Sequence, residues 1–420
     1  MLRQDKLAKQ KQLVIVGNGG AALAAIRAIR SVDRSSAITV ISGESHYAYS
    51  PVALTYYLAG RIRRNQLFLT DEAFYRDREV ELILDKKAVE IMPRCPAVRT
   101  EDGKEFFYDR LLIATGASPK LPAEYVGSGA LVLRTLADAD RILAAAQGAK
   151  EAIILGGGLV SLQTAQALWK RELKVSVVVG SRQILSRNLD AKAAFLVQEA
   201  MVRQGVNVCL GSSVTCLEPS RHLIHVRLDT GQALVGALVV SGKGVRPNLL
   251  QGPLCASDDM RTDEYLRTCL ENVYAAGDVS LGWHLIHEQW DRVANWPNAC
   301  YQGWLAGLNM AGVSTRLAGL LNHNVTELFG VRVASIGLVE PPCTDGYQVL
   351  TWENEGTRVY KKIVLRDKRL VGAILVNDIG EAGVIHNLVR KKADLSAVLA
   401  EKPAGQYNLA GLLHSQYLPN

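Results

Sequence analysis

The 420-residue chain lacks three features, each of which would define a class of protein. No apolar run approaches the ~18–20 residues of a membrane span, so the sequence predicts a soluble protein that does not enter a membrane. The segment Met1 to Gln12 is basic and polar, without the apolar core of a secretory signal. The seven cysteines stand singly with no CxxC pair, which favours a reducing, cytoplasmic compartment and disfavours a zinc or iron–sulfur site held by this chain alone.

Charge and composition narrow the class further. The 48 basic and 41 acidic residues leave a net charge of +7, a mild excess that gives no support for nucleic-acid binding. Hydrophobic residues make up 48% of the chain, which excludes a disordered protein. At roughly 100–200 residues per domain, the length predicts two to four domains with their own cores.

One strand–glycine–helix pattern occurs twice. The strands 13–16 and 153–155 are short apolar runs of the kind buried in parallel sheets, and each leads through a glycine loop into a helix and a second strand. Such loops let the backbone approach a pyrophosphate at a helix N-terminus. Two such units predict two dinucleotide-binding domains. The loop residues concerned are Gly17, Gly19, Gly20, Ala21 and Ala22 in the first copy and Gly156, Gly158, Leu159, Val160 and Ser161 in the second.

The two copies differ at the end of the following strand. Glu44 stands about 20 residues beyond the first loop, where a carboxylate can accept hydrogen bonds from ribose hydroxyls. The second copy has Gly180, Ser181 and Arg182 there, with no carboxylate, and Arg182 could meet a 2′-phosphate. Because NADP sites usually gather more than one cation, we expect NAD(H), with NADP(H) as the alternative.

Two further segments, 108–116 and 272–279, each run an apolar strand into a turn of small residues. With the two glycine loops, they make the chain resemble the flavoprotein reductases of the pyridine nucleotide–disulfide oxidoreductase superfamily, well over 1–316 and more loosely beyond. The resemblance implies an FAD beside Thr115 and Gly116, with Asp278 on the ribityl chain and a helix start at 295–299 under the flavin. Segment 240–248 is similar to the strand that returns from the NAD domain in this superfamily. Ser241, Gly242 and Lys243 are unusual residues at their positions in that strand. Beyond the loop residues and Glu44, the implied cofactor residues are Ser50, Pro51, Val89, Thr115, Gly116, Asp278, Trp296, Pro297 and Ala299 for FAD, and Gly180, Ser181, Arg182 and Gly244 for NAD.

The redox cysteines of the disulfide reductases are missing from segment 49–55. That segment is similar to its counterpart in rubredoxin and ferredoxin reductases and in the flavin region of nitrite reductases. The resemblance therefore implies an enzyme that exchanges hydride between NAD(H) and FAD and passes single electrons to or from an iron–sulfur protein. No catalytic side chain is needed, because the cofactors carry the chemistry.

Three settings for this activity stay open. The chain also looks like the FAD subunit of tungsten-dependent aldehyde oxidoreductase complexes, which favours a flavin subunit in a hetero-oligomer. A free-standing NADH:rubredoxin or ferredoxin reductase is the first alternative. A flavin-binding structural subunit with little turnover is the second.

The expected fold class is α/β, with two Rossmann-like domains and a C-terminal α+β domain. We expect an FAD-binding domain from 1–120 and 245–316, an NAD(P)-binding domain from 121–244, and an interface domain from 317–420. The last contains the predicted strands 331–336, 360–365 and 370–376.

Two histidine pairs raise the question of a metal. His284 and His287 are spaced to share one face of a helix, and His222 and His225 lie in a predicted strand. Metal sites need three or four ligands, and neither pair has an obvious third, so we expect no metal.

Overall fold

The computed structural model describes residues 10–252 and 260–396. The first nine residues of the basic N-terminal segment, Cys255 and the last 24 residues of the predicted C-terminal domain lie outside the described ranges. The α-helices described are α1 (Gly20–Val32), α2 (Leu54–Leu58), α3 (Glu72–Arg76), α4 (Leu136–Ala146), α5 (Leu159–Trp169), α6 (Ala191–Arg203), α7 (Trp296–Met310) and α8 (Ala382–Arg390).

The strands described number 25 in these ranges, and short 3₁₀ turns cover Pro51–Ala53, Arg64–Leu67 and Ala123–Tyr125. In chain order the strands are β1 (Gln12–Val16), β2 (Ala37–Ile41), β3 (Val80–Ile83), β4 (Ala88–Met92), β5 (Ala97–Thr100), β6 (Glu105–Phe107), β7 (Arg110–Ile113), β8 (Ala117–Pro119), β9 (Glu151–Leu155), β10 (Lys174–Val179), β11 (Asn207–Leu210), β12 (Val214–Ser220), β13 (Leu223–Leu228), β14 (Ala233–Gly236), β15 (Leu238–Ser241), β16 (Val245–Pro247), β17 (Met260–Arg261), β18 (Val273–Ala275), β19 (Ser280–His284), β20 (Gln289–Asp291), β21 (His323–Leu328), β22 (Val331–Gly337), β23 (Tyr347–Asn354), β24 (Val359–Arg366) and β25 (Arg369–Val376).

The chain divides into two compact units. Unit 1 comprises Met1–Val52, Arg64–Ser118 and Arg246–Leu320. Unit 2 comprises Ala53–Arg63, Pro119–Val245 and Leu321–Asn420.

Unit 1 is built on a parallel sheet with the strand order β18-β7-β1-β2-β3. The central strand β1 is apolar and buried on both faces, as strands of covered parallel sheets are. Val16, its last residue, pairs with Ile41 of β2 on one side and Ile113 of β7 on the other. The carboxyl ends of these strands therefore meet at one edge, and the order reverses between β1 and β7, where such sheets bind ligands.

Helices α1 and α7 of unit 1 cross at unusually close range because α7 carries glycine at the crossing. A Cβ built on Gly303 would lie 2.0 Å from the backbone oxygen of Ala21, and one on Gly307 would lie 2.5 Å from that of Ala25. No larger residue fits at either position without separating the helices. The crossing fixes the first turn of α7 beside the first turn of α1.

Unit 2 contains the second parallel sheet, with the order β11-β10-β9-β15. Val175 to Val178 of β10 pair in register with Ala152 to Leu155 of β9. Helix α5 follows β9 directly, as the sequence pattern predicts, and a small antiparallel sheet β12-β13-β14 belongs to the same unit.

The C-terminal part of unit 2 is an antiparallel sheet in the order β21-β22-β25-β24-β23. Asp367 and Lys368 turn between β24 and β25 with φ of +51° and +62°, the left-handed pair that a tight hairpin requires. Helix α8 buries Ile385, Leu388 and Val389. The predicted class of two parallel α/β sheets followed by an α+β region is confirmed. No helix in the described ranges is both long and apolar enough to cross a membrane.

Candidate functional site

The carboxyl edge of the unit 1 sheet collects most of the residues predicted for FAD. Gly17 follows β1 with φ of +108°, and its N–H donates to Ile41 O at 2.8 Å. A Cβ there would lie 2.2 Å from Ala114 O, so only glycine permits this approach of the loop to β7. Gly19 is the N-cap residue of α1. A Cβ built on Gly19 would have no other atom within 4 Å, so the space beside this residue is open.

Asn18 tests whether this loop fits a phosphate-bearing cofactor. Its Oδ1 accepts a hydrogen bond from Tyr75 Oη at 2.8 Å, which fixes the orientation of the amide. Its Nδ2 is buried and has no hydrogen-bond partner among the described residues. A buried donor beside an open helix N-terminus fits an anionic acceptor such as the FAD pyrophosphate.

Glu44 lies at the same edge, just beyond β2. Its Oε2 accepts a hydrogen bond from Tyr49 Oη at 2.8 Å, and the residue is exposed. Tyr49 thereby orients the carboxylate while leaving Oε1 for a ribose hydroxyl. The sequence pattern did not indicate this supporting role for Tyr49.

The turn at Thr115 and Gly116 is held by Asn248. Thr115 Oγ1 donates to Asn248 O at 2.6 Å, and Asn248 Nδ2 donates back to Thr115 O at 3.0 Å. Asn248 N also donates to Gly116 O at 3.0 Å, while Ser118 Oγ donates to Asn248 Oδ1 at 2.7 Å. Asn248 is thus a structural partner that the predicted site did not include.

Gln302 of α7 holds the turn that carries Asp278. Its buried Oε1 accepts from Gly277 N at 3.0 Å and from Ser280 Oγ at 2.6 Å. A Cβ built on Gly277 would touch the Cβ atoms of Ala21 and Ala299, each at 3.5 Å. The Asp278 turn, the glycine loop and the start of α7 therefore converge.

The helix start that the resemblance implies at 295–299 is the start of α7. Asn295 caps the helix by accepting from Asn298 N at 2.9 Å, and Pro297 occupies the first turn after Trp296. A Cβ built on Gly20 would lie 3.0 Å from both the Trp296 ring and Cys300 Sγ. This helix N-terminus therefore faces the glycine loop.

Three predicted FAD residues lie in other backbone environments of unit 1. Ser50 N donates to Leu67 O at 2.9 Å, and Pro51 begins a 3₁₀ turn. Val89 lies on β4, where its carbonyl accepts from Gln251 N at 2.7 Å. No hydrogen bond is recorded between these three residues and the glycine loop among the described residues.

The second glycine loop lies at the carboxyl end of β9 in unit 2. Gly156 has φ of +128°, and a Cβ there would lie 2.5 Å from Gly242 O. Ser161 Oγ donates to the same oxygen at 3.3 Å. Ser161 therefore ties α5 to the segment after β15, which explains a serine where the usual pattern has glycine or alanine. Gly158 caps α5 with open space around it.

The remaining residues predicted for NAD are exposed, except for the half-buried Leu159. Leu159 and Val160 begin α5, and the Val160 side chain is 50% exposed. Gly180, Ser181 and Arg182 follow β10 on the surface. Gly244 has φ of +92°, and its carbonyl accepts from Lys120 N at 2.8 Å. The buried Ser241 Oγ has no hydrogen-bond partner among the described residues, so this edge also fits a polar ligand.

Comparison with known proteins assigns this architecture. The pyridine nucleotide–disulphide oxidoreductase family matches residues 11–303, and the rubredoxin NAD⁺ reductase C-terminal domain matches residues 324–393. The chain belongs to the pyridine nucleotide–disulphide oxidoreductase family. It is an NAD(P)H-dependent flavoprotein oxidoreductase, with FAD and NAD(H) as cofactors.

Individual relatives share this arrangement. The epsilon subunit of NADH-dependent phenylglyoxylate dehydrogenase from Aromatoleum evansii is 31% identical over 93% of this chain and 94% of that protein. The NAD(P)H nitrite reductase of Bacillus subtilis (strain 168) is 28% identical over 92% of this chain, which spans only 48% of that protein. In the covalent putidaredoxin reductase–putidaredoxin complex, a chain with 21% identity and a TM-score of 0.85 covers 96% of this chain and 98% of its own length, which shows a shared fold.

The positions of the cysteines in this chain do not match those of a disulfide reductase. Segment 49–55 contains no cysteine. Cys300 Sγ lies 3.0 Å from a Cβ built on Gly20 of the glycine loop, and burial raises the pKa of the Cys300 thiol. A neutral thiol is a poor nucleophile. Cys269 is disulfide-bonded, so the cysteines are not all single thiols as their spacing suggested.

The predicted helical placement of His284 and His287 is wrong. β19 ends at His284, and the chain turns back into β20, which brings Asp291 near His287 as a third candidate ligand. His284 Nδ1 accepts from Ile286 N and His287 N at 3.2 and 3.1 Å. Because the neutral ring then carries its proton on Nε2, neither nitrogen offers a free lone pair to a metal.

Proposed function

We propose that this chain is the flavin subunit of a multi-subunit oxidoreductase that exchanges hydride between NAD(H) and FAD. Single electrons would pass between the flavin and an iron–sulfur protein or subunit. The observation that carries the proposal is the nearly end-to-end likeness to a named subunit of an NADH-dependent dehydrogenase. The absence of cysteine from segment 49–55 supports it, because the flavin then has no thiol relay in this segment.

The residues of unit 1 would bind and orient FAD. The α1 N-terminus and the Asn18 amide supply donors to its pyrophosphate, and Glu44 accepts from its ribose. Asp278 accepts from the ribityl chain, while the N-terminus of α7 favours negative charge at the flavin. We assign unit 1 as the FAD-binding domain on this basis.

The residues of unit 2 around β9 and β15 would bind the nicotinamide dinucleotide. The α5 N-terminus supplies N–H groups to the pyrophosphate, and the exposed Gly180 to Arg182 segment surrounds the adenine ribose. We assign residues 121–244 as the NAD-binding domain and the C-terminal sheet as the interface domain. Once bound, the two cofactors supply the hydride and single-electron chemistry, and the protein supplies their positions.

Two measurements test this function. Anaerobic mixing of the purified chain with NADH in a stopped-flow instrument should bleach the absorbance of the bound flavin within seconds. Purification from the native source should recover the chain in a complex with iron–sulfur protein. Flavin that NADH does not reduce would contradict the enzymatic role and favour a structural subunit.

A free-standing rubredoxin or ferredoxin reductase is the second candidate, and the rubredoxin reductase C-terminal domain at 324–393 favours it. The isolated chain would then reduce rubredoxin or ferredoxin at full rate and migrate alone from native extracts. Co-migration with an oxidoreductase subunit, such as a tungsten-dependent aldehyde oxidoreductase, would decide for the complex.

A further inference from the structure

Lys243 occupies a distinctive place in unit 2, just beyond the carboxyl end of β15. Ser241, the last residue of β15, pairs with Leu155, the last residue of β9. In the order β11-β10-β9-β15, two strands lie on one side of β9 and β15 lies on the other. The crevice between the carboxyl ends of β9 and β15 is therefore the switch point at which open α/β sheets bind their ligands.

The backbone around Lys243 is held on both sides. Gly242 N donates to Leu155 O at 2.8 Å, and Gly242 O accepts from Ser161 Oγ at 3.3 Å. On the other side, Gly244 O accepts from Lys120 N at 2.8 Å. The backbone of Lys243 is thus fixed beside the first turn of α5, where Ser161 lies.

The environment of Lys243 differs from that of the other lysines with buried side chains in unit 2. Lys362 lies 3.1 Å from Asp190 and 3.2 Å from Glu340, and Lys361 lies 2.7 Å from Asp378. Lys243 is half-buried, and no ion pair is recorded for it among the described residues. A partly desolvated cation that forms no ion pair is costly, which favours an anionic ligand for it.

The balance of charge around Lys243 also favours an anionic ligand. Desolvation lowers the pKa of Lys243, and the negative charge of the Glu124 carboxylate opposes that effect only in part. An anion brought to the crevice would restore the balance. The pyrophosphate is the anionic group of NAD(H), and Lys is a frequent point-charge partner of phosphate.

We propose that Lys243 binds the pyrophosphate of the nicotinamide dinucleotide and so complements the backbone N–H groups of the α5 N-terminus. The proposal rests on the placement of NAD(H) at the second glycine loop. It gives unit 2 a positioning residue from outside that loop, at a position where the sequence is unusual. The ammonium would act on binding affinity and would take no part in hydride exchange.

Direct binding measurements on the purified flavoprotein test the proposal without any electron-transfer partner. Lys243→Met should raise the Kd for NADH and for ADP-ribose by the same factor, roughly tenfold, because both ligands carry the pyrophosphate. Lys243→Arg, which keeps the charge, should recover most of the affinity. Lys174→Met is the matched control, since it removes an exposed lysine from the opposite, amino-terminal edge of the same sheet.

The outcomes separate the alternatives. Weaker NADH binding with unchanged ADP-ribose binding would place Lys243 at the nicotinamide half and overturn the proposal. Unchanged affinity for both ligands, or an equal loss in Lys174→Met, would also overturn it. If Lys243→Met does not fold, Lys243→Gln, which keeps a polar side chain of similar length, is measured with the same two ligands.

One further variant tests the underlying placement separately. Gly158 caps α5 with open space, so Gly158→Asp should fold while its carboxylate repels a pyrophosphate. Intact NADH binding in Gly158→Asp would show that the placement of the dinucleotide is wrong, independently of Lys243.

Discussion

The two strand–glycine–helix motifs begin alike and are completed by different elements. In unit 1, the first turn of α1 is covered by a second helix, α7, which approaches through Gly303. In unit 2, the loop at Gly156 is closed by the chain just after β15, through Gly242 and Ser161. The same local pattern therefore provides the loop, whereas its surroundings come from parts of the chain far away in sequence.

The two motifs also differ in the polar side chains that surround them. Unit 1 presents a carboxylate, Glu44, oriented by Tyr49, together with the unpartnered Asn18 amide. Unit 2 presents no carboxylate after β10 and has the cations Arg182 and Lys243 instead. The first motif therefore combines a carboxylate acceptor with an amide donor, and the second has cationic side chains instead.

The largest expected effect comes from breaking the crossing of α1 and α7 in unit 1. Gly303→Val places a side chain where a Cβ already lies 2.0 Å from Ala21 O, so α1 and α7 must separate. We expect loss of several kcal/mol of stability and loss of bound flavin. Thermal unfolding and flavin content measure both. Gly43→Ala is the control, because its Cβ would make an ordinary 3.6 Å contact, and equal behaviour of the two variants would contradict the role of the crossing.

The next effect concerns the carboxylate turn of unit 1. Asp278→Ala should weaken FAD binding by about 1.5–3 kcal/mol, because a charge-assisted hydrogen bond to the ribityl chain is lost. Flavin titration of the apoprotein gives the value. Asp263→Asn, which removes an exposed carboxylate paired with Arg267, serves as the control. Unchanged FAD affinity in Asp278→Ala would remove this residue from the site.

A smaller effect is expected from a substitution that makes the second motif more like the first. Gly180→Glu places a carboxylate after β10, where a built Cβ has only an ordinary 3.5 Å contact with Ser213. Repulsion of a 2′-phosphate should raise the preference for NADH over NADPH by roughly tenfold, or about 1.4 kcal/mol. The ratio of kcat/KM values measures this, with Gly180→Ala to separate charge from loss of glycine. A native enzyme that prefers NADPH tenfold would contradict the assignment of NAD(H).

The smallest effect is expected at Cys300. Since burial raises the pKa of this thiol, it stays protonated through neutral pH, and thiolate forms only as the pH rises above the ordinary cysteine range. Cys300→Ser should therefore leave flavin reduction by NADH unchanged within about twofold between pH 6 and 8. A complete loss of flavin reduction with flavin still bound would show that thiol chemistry takes part.

Local sequence determined the parallel strands, the glycine loops and the strands 331–336, 360–365 and 370–376 of the C-terminal sheet. These features depend on neighbours in the chain: apolar runs and the glycines that stand between strand and helix. For the same reason, the two glycine loops and Glu44, for which we propose nucleotide binding, could be picked out from the sequence alone.

Only the tertiary structure decided which distant residues complete those loops. Gln302 reaches the turn before Asp278, Asn248 closes the turn at Thr115, and Ser161 is tied to Gly242. It also showed that the segment after His284 turns back as a hairpin, so that helical spacing misplaced His287. Hydrogen bonds between residues tens or hundreds of positions apart leave no periodic signal in a single sequence, because they depend on how strands and helices are packed together.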